Sequence, residues 1–281
     1  GRGVILKSFF LRFLKFLFIF LLRIFSITCI FPFVWVIYSS FKTQKEFSLN
    51  IMNLPEKIRL ENYINALTKG ANIAFLNSLY ISVIAVTLIL LLGFITGYLL
   101  SRFDFRGRKI IYGLFLSGML VPIHGLLVPV FIQFNKLGLY NTRLALIITN
   151  ITFGLPITIF LIESFVKSVP IEIEEAAVID GCNIYQRLFR VVLPTCKPVL
   201  STSLILSFLS TWNEFPFALV LIRSSELRTI PIWLTQFSGQ YSTNYPQMMA
   251  AMVIASLPVI ITYFAFSNKI IDGMTAGAVK G

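Results

Sequence analysis

Residues 73–100 read IAFLNSLYISVIAVTLILLLGFITGYLL. The stretch has no Asp, Glu, Lys or Arg, and Asn77, Ser78 and Thr87 are its main polar residues. A bilayer core about 30 Å thick is crossed by roughly 20 apolar residues in a helix, which pairs its own backbone polar groups. Residues 73–100 exceed that length and predict a transmembrane helix. Five other stretches read the same way, at about 16–41, 110–134, 144–165, 199–222 and 247–268. The composition agrees, because 57% of the 281 residues are hydrophobic and only 13% are charged, against about 25% in a soluble domain. The chain therefore reads as an all-α, polytopic membrane protein with six transmembrane helices. Residues 1–72 carry an N-terminal tail, the first span and an external loop. Residues 73–268 form a five-helix core, and 269–281 form a tail.

The formal net charge of +12 does not point to nucleic acid, since the basic residues sit at span ends and in short connections without an aromatic platform. Their distribution instead sets topology. With six spans both termini share a side, and that side receives fourteen Lys and Arg residues against nine on the other, including the cluster Arg102, Arg106, Arg108 and Lys109. Both termini are expected in the cytoplasm. The basic start and following apolar run lack a small-residue cleavage site, so a retained first helix is expected rather than a signal peptide. Cys29, Cys182 and Cys196 make no paired framework and read as small packing residues.

Between the fourth and fifth spans lies SVPIEIEEAAVIDGCNIYQRLFRVVLPTCKP, residues 168–198. It is too polar to cross a membrane, yet it is not built as a linker. Pro170 suits a first helical turn, and Glu172, Glu174 and Glu175 place negative charge at the positive end of a helix dipole. Asp180-Gly181 supplies a stop. A second helix is expected over about 184–192, with Tyr185, Leu188, Phe189 and Val192 on one apolar face and Leu193-Pro194 as its end. The segment thus predicts a cytoplasmic helical hairpin that offers an apolar, aromatic surface to a soluble partner.

Glu175-Ala176-Ala177, Gly181 and Val191-Val192-Leu193-Pro194 stand at spacings that resemble the EAA loop of binding-protein-dependent ABC permeases, with Val191 in place of the commoner Ile. Leu137-Gly138-Leu139-Tyr140-Asn141-Thr142, Trp212-Asn213-Glu214-Phe215 and Asp272 to Gly281 are similar to the maltose-type carbohydrate permeases. His124 departs from them, since relatives usually carry another polar residue there, often Gln. The resemblance implies a transport subunit and not an enzyme. It implies a second homologous permease as heterodimer partner, a dimeric cytoplasmic ATPase that holds ATP and Mg, and an external solute-binding protein. The cargo would be a carbohydrate such as an oligosaccharide, or a related solute such as a polyol phosphate. No cofactor or metal is expected on this chain, and no phosphate-cradling Gly-rich motif occurs in it. The EAA loop would be the coupling helix, with Glu174, Glu175, Ala176, Ala177, Asp180, Gly181, Tyr185, Phe189, Leu193 and Pro194 as its contact residues.

Candidates for the transport path follow from cost. A charge at the bilayer centre costs about 2.5–3.5 kcal/mol on insertion scales, so Glu214, the only acid deep within a predicted span, should face water or protein. It reads either as a sugar-hydroxyl acceptor or as a structural lock between helices. Trp212 and Asn213 share that ambiguity. His124, the only histidine, lies between Pro122 and Pro129, which permit bends near cavities, and reads as a substrate contact or as satisfied packing polarity. Asn150, Thr152 and Gln133 are weaker candidates. A lone histidine makes no triad or metal site. Outside, Gln236, Phe237, Ser238, Gly239, Gln240 and Tyr241 begin an aromatic and amide-rich stretch that the resemblance aims at the binding protein, and that otherwise reads as an interfacial aromatic belt. Ala276 to Gly281 would touch the ATPase. A stand-alone carrier would be expected to show related halves and intramembrane charges for ion coupling. A membrane-embedded enzyme would need a catalytic constellation that one histidine and one buried carboxylate scarcely supply.

Overall fold

The computed structural model describes residues 2–237 and 243–278, with side chains for 12–237 and 243–266, and every regular element among them is helical. Among the described residues four helical runs are long and apolar enough to cross a membrane: Arg12–Ser39, Glu61–Arg102, Arg143–Ser168 and Tyr245–Phe266. Two bent pairs bring the number to six: Arg108–Gly118 with Ile123–Lys136, bent by 93°, and Ile184–Thr195 with Lys197–Trp212, bent by 77°. The expected span three is therefore a broken helix, whereas the second bend, at Cys196, joins the 168–198 segment to the expected span five. The first helix of the span-three pair ends at Gly118, and Pro122, in extended geometry (φ −70°, ψ 112°), leads into the 3-10 turn Ile123–Leu126. The fifth expected span runs only to Trp212, because Pro216 lacks the N–H that would continue the helix and its ring clashes with the carbonyl four residues earlier. The chain breaks at 213–215 and restarts as a short helix, Pro216–Leu221.

The chain divides into two compact units, residues 1–69 with 236–254, and residues 70–235 with 255–281. In the first, α1 (Arg2–Ser39) exposes every described side chain from Arg12 to Val34. Beyond it the segment expected as an external loop carries short helices. The buried Lys42 ammonium donates to the carbonyls of Asn50 (3.2 Å) and Ile51 (2.9 Å), and Asn62 donates to those of Ser40 and Lys42. A capping box of Thr43 and Glu46 opens α2 (Gln44–Leu49). Next comes α3 (Glu61–Ala66), followed by a π-helical turn over Leu67–Ala71, so the second span begins well before Ile73.

In the second unit α4 (Asn72–Arg102), α7 (Arg143–Ser168) and α11 (Lys197–Trp212) pack together. Between α4 and α7 lie α5 (Arg108–Gly118) and α6 (Leu127–Lys136). Small residues let α4 and α7 approach closely. A Cβ on Gly93 would sit 2.6 Å from Thr158 Cγ2, on Gly97 2.9 Å from Ile162 Cγ2, and on Gly154 2.6 Å from Ile89 Cδ1. Gly93 and Gly97 are four residues apart and so share a helix face. Gly97→Leu should force α4 off α7, an overpacking worth about 1–3 kcal/mol or more. Heating the detergent-solubilised protein and measuring the surviving monodisperse fraction checks this; an unchanged midpoint contradicts the close packing.

The tight link from α6 to α7 uses Gly138 (φ +68°) and Asn141 (φ +58°), in the left-handed region that Gly and Asn tolerate best. Asn141 also accepts from the backbone N–H groups of Arg223 and Ser224, both at 2.9 Å. It thereby ties this turn to the exit of the helix Pro216–Leu221.

Candidate functional site

The hairpin over 168–198 forms as two helices joined by a sharp turn. The first, α8 (Glu172–Ile179), starts two residues after Pro170 and carries Glu172, Glu174 and Glu175 in its first turn. Proline therefore precedes the helix instead of opening it. At its end Gly181 takes φ +81°, a conformation costly for any residue with a Cβ. Gly181 N–H donates to Val178 O and Cys182 N–H to Ala177 O, each at 3.0 Å, the paired bonds of a Schellman C-cap. Asn183 and Gln186 then form a capping box that starts the second arm: α9 (Ile184–Gln186), a π-helical turn (Arg187–Val192) and α10 (Leu193–Thr195).

Leu193-Pro194 does not end this arm, as the sequence reading expected. The widened turn pairs Leu193 N–H with Leu188 O, five residues back, and the helix continues to Thr195 before bending at Cys196. The arm also separates residues expected on one apolar face. Leu188 and Val192 are buried with Phe94, Tyr98, Ile162, Val166, Cys196 and Val199. Tyr185 (72% exposed) and Phe189 (41%) face outward.

The hairpin tip is an exposed apolar knob. Ile179 is 86% exposed, and Val178 and Ile184 lie beside it. Glu175, Ala176, Asp180, Gly181 and Pro194 are exposed, whereas Ala177 is buried and Leu193 half-buried. Glu174 differs from its neighbour Glu175. It points inward and is buried, with Tyr98 Oη donating to one carboxylate oxygen (2.8 Å) and Arg102 Nε to the other (2.6 Å).

A second feature lies within the core. His124, Asn150, Asn213 and Glu214 line one cavity of about 220 Å³, with Thr149 and Ser210 as further polar walls. Phe153 and Phe217, stacked at 5.2 Å, form part of its apolar lining. The broken helices make this possible: His124 sits in the short 3-10 turn Ile123–Leu126 at the bend of span three, and Asn213 and Glu214 sit where α11 stops. Glu214 accepts from the backbone N–H groups of Phe217 (2.7 Å) and Ala218 (3.0 Å), so it caps α12 (Pro216–Leu221) while lining the cavity. Asn150 and Asn213 each donate one amide hydrogen to their own helix, to Leu146 O and Leu209 O, leaving carbonyl oxygens for other partners.

The sequence candidates are not all brought together. Trp212 is 2% exposed. Its indole N–H donates to Ala255 O at 3.0 Å, and its rings pack on Phe75 and Phe208, so it holds helices together away from the cavity. Thr152 bonds its own helix at Ile148 O, and neither it nor Gln133 lines the cavity. Thr149 and Ser210 were missed; their signal was position, adjacent to Asn150 and three residues before Asn213. Glu163 was missed as a second buried acid, paired on α7 with Lys167. Of the outer candidates, Gln236 is exposed and Phe237 is buried, with the Lys69 ammonium 5.3 Å over its ring. Phe237 therefore packs within its own unit. Ser238, Gly239, Gln240 and Tyr241 lie outside the described residues, as do Val279 to Gly281 of the C-terminal tail.

Comparison with known proteins identifies this arrangement. Residues 89–274 match the family described as binding-protein-dependent transport system inner membrane component. The chain is 38% identical to the diacetylchitobiose uptake system permease protein NgcG of Streptomyces coelicolor, over 92% of this chain and 87% of that protein. It is 35% identical to the arabinooligosaccharides transport system permease protein AraQ of Halalkalibacterium halodurans, over 90% and 91% respectively. Its fold matches a chain from a bacterial ABC transporter involved in the import of alginate, with a TM-score of 0.80 and 24% identity over 92% of this chain and 97% of that one. The two broken helices, the Gly181 hairpin and these relatives agree: the chain belongs to the binding-protein-dependent inner membrane components, the membrane-spanning permease subunits of ABC transporters.

Proposed function

We propose that this chain supplies half of the transmembrane pathway of a carbohydrate importer, with an oligosaccharide as cargo, and that its 168–198 hairpin sits in a cleft of a cytoplasmic ATPase. The observation that carries the reading is the exposed knob of Ile179 and Tyr185 around Gly181. Large apolar groups held on a short, doubly capped hairpin suit a groove on a soluble partner better than water. Several relatives are named for oligosaccharide uptake, and the cavity offers what a sugar needs. It has amide and carboxylate acceptors for hydroxyl groups and an aromatic wall, in a volume that admits part of a saccharide.

A second permease subunit completes the path, and α1, mostly apolar and exposed from Arg12 to Val34, is a surface such a partner or the lipid can cover. ATP and Mg belong to the ATPase, and an external binding protein delivers the cargo, with Gln236 within the segment aimed at it. Both termini and the hairpin lie in the cytoplasm. Closure of the ATPase dimer on ATP pushes the knob, and the spans reorient so that the cavity opens outward to receive sugar and then inward to release it.

Uptake into vesicles that hold the complete complex tests the reading. Transport of the saccharide taken up by the binding protein should require ATP on the ATPase side and vanish when the ATPase is omitted. Uptake driven by an ion gradient with no ATPase present contradicts it.

A further inference from the structure

The consecutive glutamates of the hairpin face opposite ways, and the inward one, Glu174, turns its carboxylate into this chain. Glu174 is 4% exposed. Its carboxylate binds Tyr98 Oη (2.8 Å) and Arg102 Nε (2.6 Å), both on the last turns of α4. Arg187 of the second arm stands 3.5 Å from the same carboxylate. Arg102 also donates through Nη2 to the carbonyl of Val169 (2.8 Å), one of the carbonyls that α7 leaves unpaired at its C-terminus. One buried carboxylate and two guanidinium groups thus connect four pieces of chain: the end of α4, the exit of α7, α8 and the second arm. Glu175, one residue on, is exposed, and its side chain makes no hydrogen bond or ion pair among the described residues.

We infer that Glu174 is a positioning residue, the joint through which a push on the hairpin knob reaches the membrane-spanning helix α4. The inference rests on the ATPase-coupling reading of the hairpin. The backbone alone offers a soft connection, because the first arm hangs from α7 by the three residues Val169–Ile171 and the second bends at Cys196. Beneath the joint, Tyr98, Leu188, Val192 and Cys196 pack in one apolar cluster, so water does not screen the ion pairs as it does at a surface. Buried ion pairs add little net stability compared with apolar packing, but they hold one geometry and are costly to break singly. That trade suits a joint: it fixes the angle between α8 and α4 without needing to stabilise the fold. α4 in turn packs along α7 through its glycine face, so motion of its inner end is delivered to the helices around the cavity.

The test uses the full complex, with spin labels at the exposed positions 99, on the last turns of α4, and 172, on α8, flanking the joint. In the unaltered joint the label distance should be narrow and the same with and without ATP, since α4 and α8 move as one body. Glu174→Gln keeps the shape and loses the charge. It should broaden that distance while the ATPase still co-purifies, and should lower saccharide moved per ATP hydrolysed by at least about fivefold, the lower end of typical coupling effects. Tyr98→Phe, which removes one hydrogen bond and no charge, should fall between and serves if Glu174→Gln does not insert. A label distance that changes with ATP in the unaltered protein overturns the inference, as does an unchanged distance and transport ratio in both variants. Failure of the underlying reading looks different, because the ATPase would then be absent from the unaltered complex whatever stands at position 174.

Discussion

Gly181→Pro is expected to abolish co-purification of the ATPase while leaving the chain in the membrane. Position 181 has φ +81°, and proline is locked near −65°, so the turn between the hairpin arms cannot form. The substitution also deletes the N–H that donates to Val178 O, breaking the C-cap that stops α8 and aims Ile179 and Tyr185. A backbone conflict of this kind costs about 3 kcal/mol or more, enough to disperse a two-helix hairpin that has few contacts at its tip. The spans on either side are untouched, so insertion should be normal. Gly181→Ala is the graded control, since a Cβ in the left-handed region costs only about 1–2 kcal/mol and open space surrounds the position. It should weaken the pull-down without eliminating it. Normal ATPase recovery with Gly181→Pro removes the hairpin from the contact.

The second large effect is expected at Glu214. Replacing it by Ala strips α12 of the acceptor for two backbone N–H groups, a cap worth about 0.5–2 kcal/mol, and removes the cavity's carboxylate. These consequences can be separated. If Glu214 only caps, Glu214→Ser or Glu214→Asp, which retain an oxygen near the helix start, should restore transport. If the carboxylate also meets cargo hydroxyl groups, Glu214→Gln should lower saccharide uptake by about tenfold or more through lost charge-assisted hydrogen bonds, while complex yield and ATPase co-purification stay normal. We expect the second outcome, because His124, Asn150 and Asn213 turn polar atoms toward the same space. Loss of assembly without a separate loss of transport would leave Glu214 a cap alone.

Much of this architecture was readable because apolar length and the EAA spacing are local signals. Residues 73–100 declare a span by themselves, and Glu175, Gly181 and Pro194 mark the hairpin at fixed intervals. What failed depended on partners distant in sequence. Nothing local distinguishes Glu174 from Glu175; the difference comes from Tyr98 and Arg102, more than seventy residues away. Trp212 sat beside Asn213 and Glu214 in one motif, yet the stop at Pro216 turned the last two toward the cavity and left the indole in the packed interior. The π-helical turn at 187–192 shifted the second arm's phase, so a face drawn with the ordinary helical period placed Leu188 and Phe189 together when they diverge. The bend of span three and the break at 213–215 in span five were signalled by Pro122 and Pro216, but a hydropathy run reads straight through them.

The most direct test of the account is the accessibility of a single cysteine at position 179 to a membrane-impermeant thiol reagent, in a background without the three native cysteines. The cysteine should resist labelling in intact cells, react in inside-out vesicles stripped of the ATPase, and become protected when the ATPase is added back. Labelling from outside intact cells, or reactivity unchanged by the bound ATPase, would contradict it.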